Sequence, residues 1–241
     1  MKGNLFILPT ILADGTQHEV IPISVANAIK NIHYYLCENI RTARRYVSSL
    51  KVHESIESLQ FVLLDKDTPI SLLPTLFVPI LEGRNIGLLS ESGCPGVADP
   101  GATAVAYAHT HDIRVIPLVG PSSILLALMA SGLNGQHFAF HGYLPIDSKE
   151  AAITIKNLER ESREKNQTQI FIETPHRNNA LMAHLLKSLL PDTKLCVAVN
   201  LTSAAEKITS LEIRQWKKLQ PSFEKVPAIY LFLTASIECG K

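Results

Sequence analysis

Short, almost wholly apolar runs alternate along the chain with longer segments whose apolar residues recur every three or four positions. The runs at 5–8 (LFIL), 32–37 (IHYYLC), 61–64 (FVLL), 85–90 (NIGLLS) and 113–119 (IRVIPLV) have strand length and end in turn residues. Between them, 41–50 and 100–111 carry helical spacing. Continuous apolar strands separated by helices predict a parallel sheet covered on both faces.

The second half has the same ingredients at closer spacing. Strands are predicted at 137–144, 168–173, 194–201 and 227–235, and helices at 148–166, 177–190 and 206–219. The short connections near the end predict antiparallel pairing, hence a mixed sheet. Gly120 and Pro121 interrupt the pattern, so residues 1–119 and 120–241 are expected to form two α/β domains with a ligand cleft between them.

Composition sharpens this picture only slightly. The 241 residues are 46% hydrophobic, with 23 basic against 22 acidic side chains and a net charge of +1. That balance neither announces nor excludes a polyanionic partner, so nucleic-acid binding has to rest on a local patch. The opening MKGNLFILPTILADG has a lysine and an apolar stretch, but Pro9 interrupts it and no A-x-A-like site follows. It reads as a first buried strand rather than a signal peptide. No run reaches membrane-spanning length, and a soluble cytoplasmic protein is expected. Cys37, Cys94, Cys196 and Cys239 are far apart, which points to reduced thiols rather than a zinc or disulfide framework. His109 and His111 diverge around a helix. His137 and His141 can share a strand face but have no acidic partner nearby in sequence, so no metal site is expected.

The segment LLSESGCPGVADPGATAVAYA (88–108) is richer than a connector requires. Asp99 suits a helix cap with Pro100 in the first turn. That leaves 90–97 unexplained. Loops leaving the carboxyl ends of parallel strands form the ligand crevice of such sheets. Gly93 and Gly96 bare the backbone to a ligand, Pro95 stiffens the turn, and Glu91 can accept from a ribose or an amine. The loop is neither G-x-x-x-x-G-K-[ST] nor G-x-G-x-x-G, and GPSSI (120–124) lacks the second glycine of G-x-S-x-G. A ligand without a polyphosphate fits, and S-adenosylmethionine is a candidate.

With these residues in view, the chain resembles the tetrapyrrole-methylase-like (class III) S-adenosylmethionine-dependent methyltransferases, above all the branch that 2′-O-methylates cytidine in small-subunit ribosomal RNA. That branch's S-D-A-G-[TC]-P-x-x-x-D-P-G is matched by Ser90-Glu91-Ser92-Gly93-Cys94-Pro95 and then Asp99-Pro100-Gly101. Its P-x-P-G-P-[SC] appears as PLVGPSS (117–123), and its F-[YF]-E-[SA]-[PT]-H-R as FIETPHR (171–177). ALMASGL (127–133) and FAFHGYLP (138–145) also match.

The resemblance implies two α/β domains, S-adenosylmethionine in the cleft between them, a homodimer, and ribosomal RNA or the small ribosomal subunit as partner. Carried over by position, the cofactor contacts are Pro9, Glu91, Ser92, Gly93, Cys94, Pro95, Ser122, Ser123, Phe171, Ile172 and Ala228. For Phe171 and Ala228, ordinary buried strand positions are the alternative. Departures fall mainly on substrate-facing polar groups. P-T-P-I-G-N-L becomes PTILADGTQHE (9–19), A-E-D-T-R becomes CENIR (37–41), R-E-L-T-K becomes VNLTS (199–203), and K-G-E-[FM]-V becomes EKVPAIY (224–230).

Methyl transfer to a hydroxyl needs alignment, exclusion of water and removal of a proton. Glu38, beyond the second strand, is assigned as base or substrate-orienting acceptor, and Arg41 as a phosphate or carboxylate contact. The three arginines and the tyrosine of RTARRYV (41–47), Arg44 above all, suit an RNA-binding rim, and Glu173, His176 and Arg177 a substrate-binding cluster. Helix entry or a solvated helix face is the alternative for each. The charged segment 148–166 reads as a solvent-facing helix with charge pairs. Two other functions stay open: methylation of a small molecule such as a tetrapyrrole, and a non-catalytic binding protein that keeps the fold.

Overall fold

The computed structural model describes residues 2–223 and 225–234. Cys239, the Ala235 end of the last apolar run and Glu224 of the 224–230 block lie outside the described residues. The chain divides into two compact units, Met1–Ser122 and Ser123–Lys241.

In the first unit, strands β1 (Leu5–Leu8), β2 (Tyr34–Cys37), β3 (Gln60–Leu63), β4 (Ile86–Leu89) and β5 (Val115–Pro117) form a wholly parallel sheet. Their order is β3-β2-β4-β1-β5. The connections carry α1 (Gln17–Val20), α2 (Ile23–Lys30), α3 (Ile40–Ser49), α4 (Leu73–Leu76), α5 (Val78–Leu81) and α6 (Gly101–Thr110). Because strand side chains alternate, each strand feeds two cores. Leu5, Ile7, Leu36, Ile86 and Leu88 pack with Leu73, Phe77, Ile80, Ala104 and Ala108 of α4–α6. Leu8, Tyr35, Cys37 and Leu89 pack on the opposite face with Val25, Ile29, Ala43, Tyr46 and Val47 of α2 and α3. Burying each large aliphatic side chain contributes about 1.5–3 kcal/mol.

This arrangement fixes where a ligand can enter. β4 lies between β1 and β2. The chain leaves β1 and β2 for helices on one face, and leaves β4 for α6 on the other. Loops that diverge to opposite faces open a crevice at the carboxyl ends of the strands.

The second unit contains α7 (Ser123–Ser131), β6 (Phe138–Tyr143), α8 (Ser148–Lys165), β7 (Thr168–Glu173), α9 (Asn178–Ser188), β8 (Lys194–Val199), β9 (Lys207–Glu212), α10 (Ile213–Leu219) and β10 (Ala228–Leu233). Its sheet runs β6-β7-β10-β8-β9, with β6 and β7 parallel and the other pairs antiparallel. The expected parallel and mixed sheets are both present.

Two expectations require correction. Residues 206–219 are not one helix: Lys207–Glu212 pairs with β8 from Val199↔Lys207 to Lys194↔Glu212. β-Branched Ile208 and Thr209 suit that ladder, and the helix begins only after a reciprocal Glu212–Gln215 capping box. The charge pairs expected along α8 reduce, among the described residues, to Lys165 with Glu161. Glu159 instead turns inward and accepts from the Leu190 N–H at 2.8 Å and the Thr193 hydroxyl at 2.5 Å. His137 and His141 each engage a different neighbour. His137 Nδ1 meets the Lys165 carbonyl at 2.9 Å, and His141 Nε2 meets Gln169 Oε1 at 2.6 Å. No cluster of three or more metal-ligating side chains occurs among the described residues, and none of their helices is long and apolar enough to cross a membrane.

Candidate functional site

Four loops meet at the carboxyl edge of the parallel sheet, each tied to another by a specific bond. After β1, the Thr10 N–H donates to the Gly93 carbonyl at 2.8 Å, and the Pro9 carbonyl accepts from the Tyr46 hydroxyl at 2.8 Å. After β2, Glu38 Oε2 accepts from the Glu91 N–H at 3.0 Å. After β5, Gly120 lies so close to Pro9 that an added Cβ would stand 2.1 Å from its Cβ. The carbonyl of Pro121 accepts from the Cys94 thiol at 3.4 Å. Pro9, Glu38 and the 90–95 loop, singled out separately in the sequence, are thus brought together.

The β4 loop is shaped by two glycines with positive φ, Gly93 at +77° and Gly96 at +82°, where side-chain-bearing residues are strained. A Cβ on Gly93 would also meet Leu12 Cδ2 and the Pro121 carbonyl at 3.3 Å. Asp99 anchors the loop's far end, with Oδ1 accepting from the N–H of Gly96 at 2.5 Å and of Gly101 at 2.9 Å. Its capping role is therefore direct, although α6 starts at Gly101 and Pro100 is the cap residue rather than part of the first turn. Among the described residues, the N–H groups of Ser92, Gly93 and Cys94 donate no hydrogen bond. Three successive donors in a glycine turn form a cradle for acceptor atoms.

Beside this cradle lies a cavity of about 430 Å³. Thr10, Ile11, Leu12 and Asp14 form one wall, Thr42, Arg45, Tyr46 and Ser49 of α3 a second, and Ser90, Glu91 and Ser92 a third. The α3 residues sit at helical spacing 42, 45, 46 and 49, which selects one face. The helix starts where Asn39 Oδ1 accepts from the N–H of Arg41 and Thr42 at 3.0 and 3.2 Å. Asparagine thus keeps the capping function that the family's aspartate would have.

Glu38 does not line the cavity itself; it is held to its wall through the Glu91 N–H, with the carboxylates of Asp99, Glu91 and Asp65 near enough to act on it. Burial raises the Glu38 pKa; the Glu91 N–H opposes the shift, and the carboxylates of Asp99, Glu91 and Asp65 add to it. Burial also raises Asp99, against its two backbone donors. Glu38 therefore holds a proton more readily than an ordinary glutamate, as a group that must accept one requires. Burial pushes the Cys37 thiol up to about 12 and raises Cys94. Neither thiol is a nucleophile at neutral pH.

Not every residue chosen from sequence comes to this place. The Arg44 guanidinium lies over the Phe61 ring, 5.6 Å from its centroid, and faces Glu57 at 3.8 Å. Arg45, the third arginine of the 41–47 segment, lines the cavity instead. Arg41 is exposed in the first turn of α3 and does not line it. Ser122 ends the first unit and Ser123 begins α7 in the second. Phe171 is fully buried with its ring stacked on Tyr230, so its side chain is core. Ile172 is half-buried on β7 and faces Ile229, next to Ala228 on β10.

Glu173 is buried at the end of β7. Its Oε1 accepts from the Thr174 N–H at 2.7 Å, and its Oε2 faces Arg177 at 3.1 Å without hydrogen-bond geometry. His176 is exposed in the 3₁₀ turn between β7 and α9. Glu173 and Arg177 are thus together, while His176 turns to solvent.

Comparison with known proteins gives a consistent result. Ribosomal RNA small subunit methyltransferase I of Escherichia coli O157:H7 is 31% identical over 223 residues, covering 90% of this chain and 73% of that protein. The protein of the same name from Buchnera aphidicola of Acyrthosiphon pisum is 28% identical over 219 residues, covering 90% and 73%. No protein-family model matches the chain. Among solved structures, the methyltransferase CobJ aligns over 99% of this chain and 97% of its own with a TM-score of 0.62 and 17% identity. Uroporphyrin-III-C-methyltransferase from Thermus thermophilus aligns over 97% and 93%, with a TM-score of 0.58 and 17% identity. At that identity the structural likeness establishes the fold alone.

Proposed function

We propose, because the chain belongs to the ribosomal RNA small subunit methyltransferase I family, that this methyltransferase uses S-adenosylmethionine to methylate a ribose hydroxyl of small-subunit ribosomal RNA. The observation that carries the reading is the convergence of Thr10, Glu38 and the 90–95 loop beside the cavity. When bound, S-adenosylmethionine supplies an electrophilic methyl group on a sulfonium. The residues present fit such a group. The N–H groups of Ser92, Gly93 and Cys94 offer donors to its acceptor atoms, and the Glu91 carboxylate can accept from its ribose or its amine.

The protein's own task is then alignment, dehydration and proton removal. Tyr46 and Thr10 fix the floor through the Pro9 and Gly93 carbonyls. The cavity hydroxyls of Thr42, Ser49 and Ser92 suit a sugar. Glu38 is the proposed base, its pKa raised by burial and neighbouring carboxylates, and Arg41 a proposed phosphate contact at the rim. Cytoplasmic residence and a homodimer belong to the same proposal, supported by the family resemblance.

Calorimetric titration with S-adenosylmethionine and S-adenosylhomocysteine tests the cofactor assignment. Saturable binding is expected, and it should be lost in Gly93→Trp, whose circular dichroism should match the parent. Absence of binding by the parent protein would refute it.

A further inference from the structure

Among the described residues lining the cavity Arg45 is the one cation, and its side chain is largely exposed. Its Nη2 meets Asp14 Oδ1 at 3.3 Å, with the two side chains 67% and 78% exposed. Asp14 belongs to the 9–19 segment, where this chain departs from its family's sequence pattern. The segment is ordered there by its own bonds: the Thr10 N–H donates to Gly93, and the Thr16 hydroxyl donates to the Ala13 carbonyl at 2.7 Å. Asp14 is therefore presented to Arg45 by a built turn. An ion pair this exposed is weak, so a stronger anion can replace the carboxylate at small cost.

We propose that Arg45 receives a backbone phosphate of the RNA substrate and that Asp14 holds its guanidinium until the substrate displaces it. The other arginines of α3 do not reach this place in the cavity. Arg44 is engaged by Phe61 and Glu57, and Arg41 lies outside the lining. Around Arg45 the lining offers the Thr42 hydroxyl one turn before it and the Ser49 hydroxyl one turn after it; the latter donates to the Tyr46 carbonyl at 2.7 Å and is left as an acceptor for the sugar attached to such a phosphate. Guanidinium and phosphate pair through parallel N–H donors, an arrangement that a single carboxylate contact at 3.3 Å leaves incomplete. The Asp14–Arg45 pair then biases the site toward phosphodiesters, because a phosphate competes with the Asp14 carboxylate for the guanidinium and an uncharged backbone does not.

This inference rests on the RNA reading of the cavity, and its test separates the two. Fluorescence anisotropy of the full chain with S-adenosylhomocysteine would measure binding of a short single-stranded RNA and of the same oligonucleotide carrying neutral methylphosphonate linkages. Asp14→Asn should tighten RNA binding about 1.5- to 5-fold, the worth of an exposed ion pair. Arg45→Ala should weaken it roughly four-fold at about 0.15 M salt and lower the salt slope by about 0.7, as expected for one lost contact to a single strand. The Asp14→Asn effect should vanish in the Arg45→Ala background and with the neutral oligonucleotide. RNA binding whose affinity and salt slope do not respond to Arg45→Ala would overturn the assignment of Arg45 alone. Binding of S-adenosylhomocysteine without any RNA binding by the parent protein would overturn the RNA reading itself.

Discussion

Glu38→Gln separates catalysis from structure because the substitution keeps the shape and the acceptor atom. In the parent, Glu38 Oε2 accepts the Glu91 N–H at 3.0 Å. A glutamine amide oxygen can occupy the same place, so the β4 loop should remain positioned. What disappears is a carboxylate able to take a proton. Loss of a general base costs about 10²- to 10⁴-fold in rate, or roughly 3–5 kcal/mol of barrier.

Stability should move the other way. Burial raises the Glu38 pKa in the folded state, so the ionised form is disfavoured by folding. The protein loses stability from this group as pH rises from the ordinary carboxylate range through the raised value. Glu38→Gln should therefore be at least as stable as the parent at pH 7, with any advantage closing as pH falls through the raised value to the ordinary carboxylate range. The assays are single-turnover methyl transfer from labelled S-adenosylmethionine and urea unfolding at several pH values. The parent's rate should rise with pH through an apparent pKa above that of a free glutamate, and the variant should lack that limb. A variant within about three-fold of the parent rate would refute the base assignment. A variant less stable at pH 7 by more than about 2 kcal/mol would mean that Glu38 serves as a clamp for Glu91.

Two further predictions concern the frame of the site. Asp99→Ala removes a carboxylate that accepts from Gly96 and Gly101. It should cost about 1–3 kcal/mol, read as a lower urea midpoint at constant slope; an unchanged midpoint would contradict the capping role. Tyr46→Phe deletes the hydroxyl bonded to the Pro9 carbonyl at 2.8 Å inside a buried contact. A loss of about 1–2 kcal/mol is expected by the same measurement, and equal stability would show that water replaces the hydroxyl.

The strands are readable because their apolar runs are continuous, and among the described residues nine of the ten coincide with a predicted run to within a few residues at each end. The tenth, β9, was hidden because KITSLE joins IRQWKKL with no glycine or proline between them, so a helical period spans both. Its strand state is imposed by pairing with β8, a non-local contact.

The site was legible where backbone geometry dictates residue type. Gly93, Gly96 and Asp99 stand out because positive φ and a shared carboxylate leave little freedom of composition. Gly120 was noticed only as a pattern break, although contact with Pro9 demands it. The side-chain walls were much less legible. Arg41, Arg44 and Arg45 are equivalent on paper, and only the rotation of α3 directs Arg45 to the cavity and Arg44 to Phe61. Phe171 follows a cofactor motif but is consumed by the core, because a motif gives position and not the direction of a side chain.

The most direct measurement is incubation of the purified protein with tritium-labelled S-adenosylmethionine and small ribosomal subunits that lack the modification. The extracted RNA would then be hydrolysed in alkali. Methylation of a ribose 2′-oxygen blocks cleavage at the next phosphodiester, so the account predicts label in alkali-resistant dinucleotides. Label confined to mononucleotides, or absent from RNA while S-adenosylmethionine is bound, would contradict it.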